Sequence, residues 1–188
     1  MQERKRGKLR MTQQGVTVWL TGLSGAGKTT IAKEVNHRLL ERSVPTEYLD
    51  GDELRQTLCK DLGFSEEDRH TNIERVTFVA KLLTKHGVIC LAAFISPYEA
   101  MRELARREIG SFVEVFVTAP LKVLIERDTK GLYKKALRGE ITDFTGIQAP
   151  YEAPRHPDLV LETDRQDYRA CADAVIRLLE ERGYLPKA

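Results

Sequence analysis

The chain has 188 residues, 41% hydrophobic and 31% charged, enough to bury one substantial core but not two independent ones. No apolar run approaches the roughly 18 residues of a membrane-spanning helix, and no apolar stretch or cleavage site follows the basic start MQERKRGKLR, so a cytoplasmic protein with no membrane partner is expected. The net charge of +2 is uneven: residues 1–10 carry five Lys/Arg and one Glu, leaving 25 basic and 27 acidic residues elsewhere, so the body is not a generally basic nucleic-acid binder.

Residues 1–14 read as a basic, flexible tail before a single domain over 15–188. Cys59, Cys90 and Cys171 are odd in number, far apart and without CxxC or Cys/His spacing, which argues for reduced thiols over a disulfide framework or zinc site. Val16 to Thr21 reads as a strand buried on both faces, followed by a Gly-rich turn and a helix from about Lys28. A second strand fits Thr46 to Asp50, and Asp52 offers itself as N-cap of a short helix through Leu58. Ser65 and Asp68 resemble a capping box opening a helix with the stripe Ile73, Val76, Ala80 and Leu83, ended by Gly87.

Val88 to Phe94 and Phe112 to Val117 read as further strands, with a charged helix from Tyr98 to Arg107 between them. From about 128 to 157, six Gly and Pro residues punctuate a segment without sustained periodicity, read as a functional lid. DLVLET supplies a last strand, and Cys171, Ala174, Val175, Leu178 and Leu179 mark the inner face of a final helix ending near Gly183. The alternation predicts an α/β fold, a parallel β-sheet sandwiched between helices with ligands at the C-terminal strand edge.

Gly22-Leu23-Ser24-Gly25-Ala26-Gly27-Lys28-Thr29 matches the P-loop pattern in full, with a strand before it and a helix after it. Its backbone amides and helix N-terminus suit phosphate, Lys28 suits the β- and γ-phosphates of ATP, and the Thr29 hydroxyl suits Mg²⁺. No NKxD, and no DxxG following a strand, argues for a guanine-nucleotide switch. Asp50-Gly51-Asp52 falls on the same rim, with Arg55 close behind. One Asp can hold Mg²⁺ directly or through water and the other orient or deprotonate an attacking hydroxyl; the plainer alternative is that Asp52 caps a helix, which leaves Asp50 unexplained. Arg69 and Asn72, three apart, share a helix face fit for an anion or a nucleotide edge, or simply for solvent. Phe64, before a capping Ser, reads as a hydrophobic staple or a purine platform.

These blocks, with FISPY, RDTKGLYKKA, EITDFTGIQAPYE and DLVLETD, resemble the adenylylsulfate kinase family over nearly the whole chain from about Gly15. The resemblance implies transfer of the ATP γ-phosphoryl to the ribose 3′-hydroxyl of adenosine 5′-phosphosulfate, in sulfate assimilation. It implies that Arg55, Phe64, Arg69, Asn72, Ile95, Lys130 and Phe144 hold the acceptor together with Asp52 and Ser96, with its adenine between Phe64 and Phe144. Thr30 and Arg127 join the ATP site, and Ser96 matches a residue often described as forming a phosphoserine intermediate. A substrate-contact role for Ser96 competes with that, since no base flanks it in sequence. The resemblance further implies a homodimer and a functional association with ATP sulfurylase. Two residues depart from the family pattern: Glu99, where a basic residue is common, and Glu53, where Asn is common. Two other readings compete, a P-loop kinase for a different small acceptor and a catalytically silent nucleotide-binding module.

Overall fold

The computed structural model describes residues 13–187, so the expected tail lies outside the described residues except for Gln13 and Gln14. Five strands, β1 (Val16–Thr21), β2 (Thr46–Asp50), β3 (Ile89–Ala93), β4 (Phe112–Thr118) and β5 (Leu159–Glu162), form one sheet in the order β2-β3-β1-β4-β5. All four pairings are parallel, β1 aligning Val18 with Leu91 of β3 and with Val113 of β4. Between and after the strands run α1 (Lys28–Glu41), α2 (Gly51–Gln56), α3 (Glu66–Lys85), α4 (Glu99–Ile109), α5 (Leu121–Arg127), α6 (Leu132–Leu137) and α7 (Tyr168–Glu181).

Every residue of β1 is buried, because helices cover both faces of the sheet. Val16, Val18 and Leu20 point into the layer holding Ile31 and Leu39 of α1 and Val175 and Leu179 of α7. Trp19 points the other way, among Ile73, Val76 and Ala80 of α3 and Met101 and Ala105 of α4, with its ring 5.6 Å from Phe94 and 5.8 Å from Phe112. Burial of each large aliphatic side chain here contributes about 1.5–3 kcal/mol.

The chain leaves β1 toward β2 on one side and leaves β3 toward β4 on the other. The C-terminal ends of β1 and β3 therefore flank a topological switch point, where open parallel sheets bind ligands. The P-loop follows β1, residues 94–96 follow β3, and Asp50 closes β2 on the same edge.

Three local features differ from the sequence-based expectation. The N-cap of α2 is Asp50, whose carboxylate accepts from the Asp52 and Glu53 amides, so the cap lies two residues before the expected Asp52 and the helix runs from Gly51 to Gln56. α5 was not expected; its short apolar stripe, of which Leu124 is fully buried, is too brief to show a period. Within residues 128–157, α6 forms a turn and a half of helix, initiated by left-handed Gly131 and by the Asp128 carboxylate accepting from the Tyr133 and Lys134 amides.

Candidate active site

The P-loop geometry starts from steric necessity at Gly22. A Cβ there would lie 2.0 Å from the Val117 carbonyl oxygen, and its φ of +148° disfavours any side chain. Gly27 is the N-cap of α1 at φ 101° and supplies no side chain to the first-turn amides, which remain available to an anion. Lys28 is buried, and its Nζ donates to the carbonyls of Gly22 (2.7 Å) and Leu23 (2.8 Å). Burial, then the charge of Lys130, pushes its pKa down to about 7. Thr30 is exposed on the first turn of α1. Arg127 donates to Thr163 Oγ1 (3.0 Å) and to the Thr163 carbonyl (2.7 Å), and Thr163 Oγ1 donates to the carbonyl of Ala26 (3.0 Å), so Arg127 connects to the cradle through one side chain.

The Asp50 carboxylate has two distinct ends. Oδ1 caps α2, accepting from the amides of Asp52 (2.8 Å) and Glu53 (3.3 Å). Oδ2 accepts from Thr29 Oγ1 (3.3 Å) and from the Tyr48 hydroxyl. Burial works to raise the pKa of this carboxyl, but the hydrogen bonds from Tyr48, the two amides and Thr29 outweigh it and hold the group ionised. Capping thus explains one oxygen of Asp50 and leaves the other facing the cradle. Asp52, freed from capping, is exposed and paired with Lys130.

Hard oxygen donors from Thr29 and Asp50, adjacent and without His or Cys, suit a cation that takes a few protein oxygens and completes its shell with phosphate and water. Among the described residues no cluster of three or more His, Cys, Asp or Glu offers a closed metal cage, which a nucleotide-borne Mg²⁺ does not need.

The remaining acceptor candidates group around the start of α3. Ser65 caps this helix as expected, accepting from the Asp68 amide (3.1 Å). Phe64 is 63% exposed, so it is not a buried staple; the Arg55 guanidinium lies 4.4 Å from its ring centre and also donates to the Gly63 carbonyl (2.7 Å). Arg69 donates to the carbonyls of Phe64 (2.8 Å) and Asp143 (2.7 Å) and to Thr145 Oγ1 (2.6 Å). One guanidinium therefore joins the backbone at Phe64 to the segment carrying Phe144. Asn72 is buried with its Oδ1 unpartnered, an open acceptor beside these groups on α3. Phe144 packs edge-on against Tyr133, their centroids 5.1 Å apart, so the two phenylalanines have different surroundings.

Ile95 is partly buried and its carbonyl accepts from Thr21 Oγ1 (2.8 Å). Ser96 is 2% exposed and sits at φ 39°, an unfavourable backbone region for a residue with a side chain. Its hydroxyl accepts from Trp19 Nε1 (3.0 Å) and donates to Thr21 Oγ1 (2.9 Å). Its partners are thus an indole and a threonine, neither of them a base. Glu99 meets Arg155 at 3.1 Å and its amide donates to Glu152 Oε2 (2.7 Å), so its charge is answered locally. Glu53 is exposed, and its carbonyl accepts from Thr57 Oγ1 (3.1 Å).

Sequence reasoning missed several supports. Arg102 is buried, donating to Glu114 Oε1 (2.9 Å) and to the carbonyls of Ser96 (2.7 Å) and Glu152 (2.8 Å). Tyr151 shares a hydrogen bond with Thr21 (3.0 Å), and the Tyr133 hydroxyl donates to the Ser24 carbonyl (2.9 Å). A signal for Arg102 was present: it occupies the inward stripe of α4 beside Met101 and Ala105, where an unpaired charge would be costly.

Residues 14–162 match the family model described as adenylylsulphate kinase. A relative from Halothermothrix orenii, named adenylyl-sulfate kinase, is 57% identical over 173 residues, covering 92% of this chain and 94% of its own. The solved APS kinase of Mycobacterium tuberculosis, in complex with AMPPNP and APS, is 48% identical with a TM-score of 0.86, covering 89% and 99% of the two chains. A hexameric APS kinase from Thiobacillus denitrificans is 33% identical with a TM-score of 0.71, covering 92% of this chain and 30% of its own. A family match across most of the chain, on a fold whose sheet edge carries the family's blocks, means that this chain belongs to the adenylylsulphate kinase family.

Proposed function

We propose that the chain transfers the γ-phosphoryl group of ATP to the ribose 3′-hydroxyl of adenosine 5′-phosphosulfate, in sulfate assimilation. The observation that carries this reading is the divided Asp50 carboxylate, one oxygen starting α2 and the other turned to Thr29, which sets the acidic acceptor rim against the phosphate cradle. Family membership supplies the acceptor. The kinase is read as one domain over 15–188, with 128–157 as its lid, working as a cytoplasmic homodimer in functional association with ATP sulfurylase. Residues 1–14 are read as a basic tail, and nucleic acid is not a partner.

In this reading Gly22 to Thr30 wrap the triphosphate, Arg127 flanks the nucleotide, and Lys28 leaves the Gly22 and Leu23 carbonyls to meet the β- and γ-phosphates. Thr29 and Asp50 would hold Mg²⁺, partly through water, and the ion would supply neutralising charge to the phosphates in the cradle. Arg55, Arg69, Asn72, Lys130 and Ile95 receive the acceptor, and Phe64 and Phe144 stack its adenine. Lys130 exchanges Asp52 for the anionic acceptor, which frees Asp52 to orient the 3′-hydroxyl and take its proton. The oxygen then attacks phosphorus in line as the bond to the ADP oxygen breaks. Ser96 acts as a buried positioning hydroxyl. Glu99, which departs from the family pattern, is paired with Arg155.

A 3′-deoxy analogue of the acceptor tests the regiochemistry. It should bind and compete with adenylylsulfate while accepting no phosphoryl group, and the 2′-deoxy analogue should be turned over. Phosphorylation of the 3′-deoxy compound would refute the assignment.

A further inference from the structure

We propose that Tyr133 is a positioning residue that couples the phosphate cradle to Phe144, so that nucleotide and acceptor strengthen each other's binding. This rests on the reading of Phe144 as an adenine-stacking residue.

Tyr133 is 1% exposed and touches both halves of the site. Its hydroxyl donates to the Ser24 carbonyl in the middle of the P-loop (2.9 Å), and its ring meets that of Phe144 edge to face at 83°. Burial pushes its pKa up to about 12, which keeps the hydroxyl a donor throughout the working pH range. The Ser24 carbonyl and the Gly25 amide belong to one planar trans peptide and point in opposite directions. Pinning the oxygen to Tyr133 therefore fixes the direction in which Gly25 donates. Gly25, at φ 73°, has the backbone freedom that makes such a restraint necessary.

The Phe144 end is equally constrained. The Gln148 amide nitrogen donates to the Ala136 carbonyl of α6 (2.9 Å), while its Oε1 accepts from the Phe144 amide (3.2 Å). The Tyr133 amide is itself held by Asp128 (3.0 Å) at the start of α6. One short helix thus carries a hydrogen bond to the cradle and both the backbone and the ring of Phe144. An edge-to-face pair has a narrow preferred geometry, so ordering Ser24 around phosphate narrows the positions open to Phe144, and stacking on Phe144 does the reverse. Such coupling is reciprocal by thermodynamic necessity.

The test measures binding without turnover. Calorimetry would give the affinity of the intact protein for adenylylsulfate alone and with saturating Mg²⁺–ADP, for wild type, Tyr133→Phe and Phe144→Ala. In wild type, ADP should tighten adenylylsulfate about fivefold or more, and adenylylsulfate should tighten ADP by the same factor. Tyr133→Phe keeps the ring and removes only the hydroxyl, so the factor should fall to within about twofold of unity, with adenylylsulfate affinity in the absence of nucleotide changed by less than about twofold. A Tyr133→Phe protein with the wild-type factor overturns the proposal. So does an equal loss of both affinities at constant factor, the mark of a merely structural role, or a wild-type factor of one. Phe144→Ala separates the two layers: if it binds adenylylsulfate as wild type does, the stacking reading fails and this proposal with it. If it binds weakly while Tyr133→Phe keeps its coupling, only this proposal fails.

Discussion

Phe64→Ala separates acceptor binding from folding. The ring is 63% exposed and its described close partner is the Arg55 guanidinium at 4.4 Å. An exposed cation–π contact is worth about 0.5–1 kcal/mol, so its loss should lower Tm by about 1–4 °C for a chain of this size. A ring that stacks on a base contributes about 1–3 kcal/mol to binding, which is about 5- to 150-fold in affinity. That contact is present in ground state and transition state alike, so KM for adenylylsulfate should rise by this factor with kcat nearly unchanged. KM for ATP should stay as it is, because Phe64 lies at the start of α3 and outside the cradle. Steady-state ADP-release kinetics with each substrate varied in turn give all three quantities. An unchanged KM for adenylylsulfate, or an equal rise in KM for ATP, would refute the placement of Phe64 in the acceptor site.

Ser96→Ala should keep turnover within about an order of magnitude, against the loss of about 10⁶-fold that follows removal of a covalent nucleophile; a loss on that scale would restore the phosphoserine route. The same variant strands the buried Trp19 N–H and should lose about 1–3 kcal/mol of stability by denaturant unfolding. Lys28, at about 7 in the free protein against an ordinary 10.5, is mostly neutral at about pH 8 and should take up a proton when a triphosphate raises its pKa. The calorimetric enthalpy of ATP binding at about pH 8 should therefore depend on the buffer's ionisation enthalpy, and Lys28→Met should abolish that dependence; equal enthalpies in all buffers would contradict it. Arg102→Met leaves Glu114 buried and partly unpaired and should lose about 3–5 kcal/mol, with Arg102→Met/Glu114→Leu recovering part of it; a loss under about 1 kcal/mol would count against the buried pair.

What could be read from sequence was local and periodic. The strand, Gly-rich turn and helix around Lys28 are contiguous, each held by its own steric rule, so the cradle was legible before any tertiary contact was known. The Asp50 and Asp52 roles were legible only in part, since a strand can pass directly into a helix with Gly51 at the first position and shift the cap by two residues. α5 and α6 escaped notice because seven and six residues carry too little of a 3.6-residue period, and Asp128 and Gly131 between them resemble a loop. The contacts of Tyr133 with Ser24 and of Arg102 with Glu152 join residues 109 and 50 positions apart, a separation that no local pattern encodes. Ser96 shows the same limit: its motif matches a reactive serine, while its surroundings of Trp19 and Thr21 exist only once β1 and β3 have paired.

The identity of the acceptor is decided by ATP-dependent ADP release with adenylylsulfate, gluconate, shikimate or AMP offered in turn under identical conditions. Turnover with adenylylsulfate, with the other three at background, is the predicted result. Equal turnover with any of the others, or none with adenylylsulfate, would contradict it.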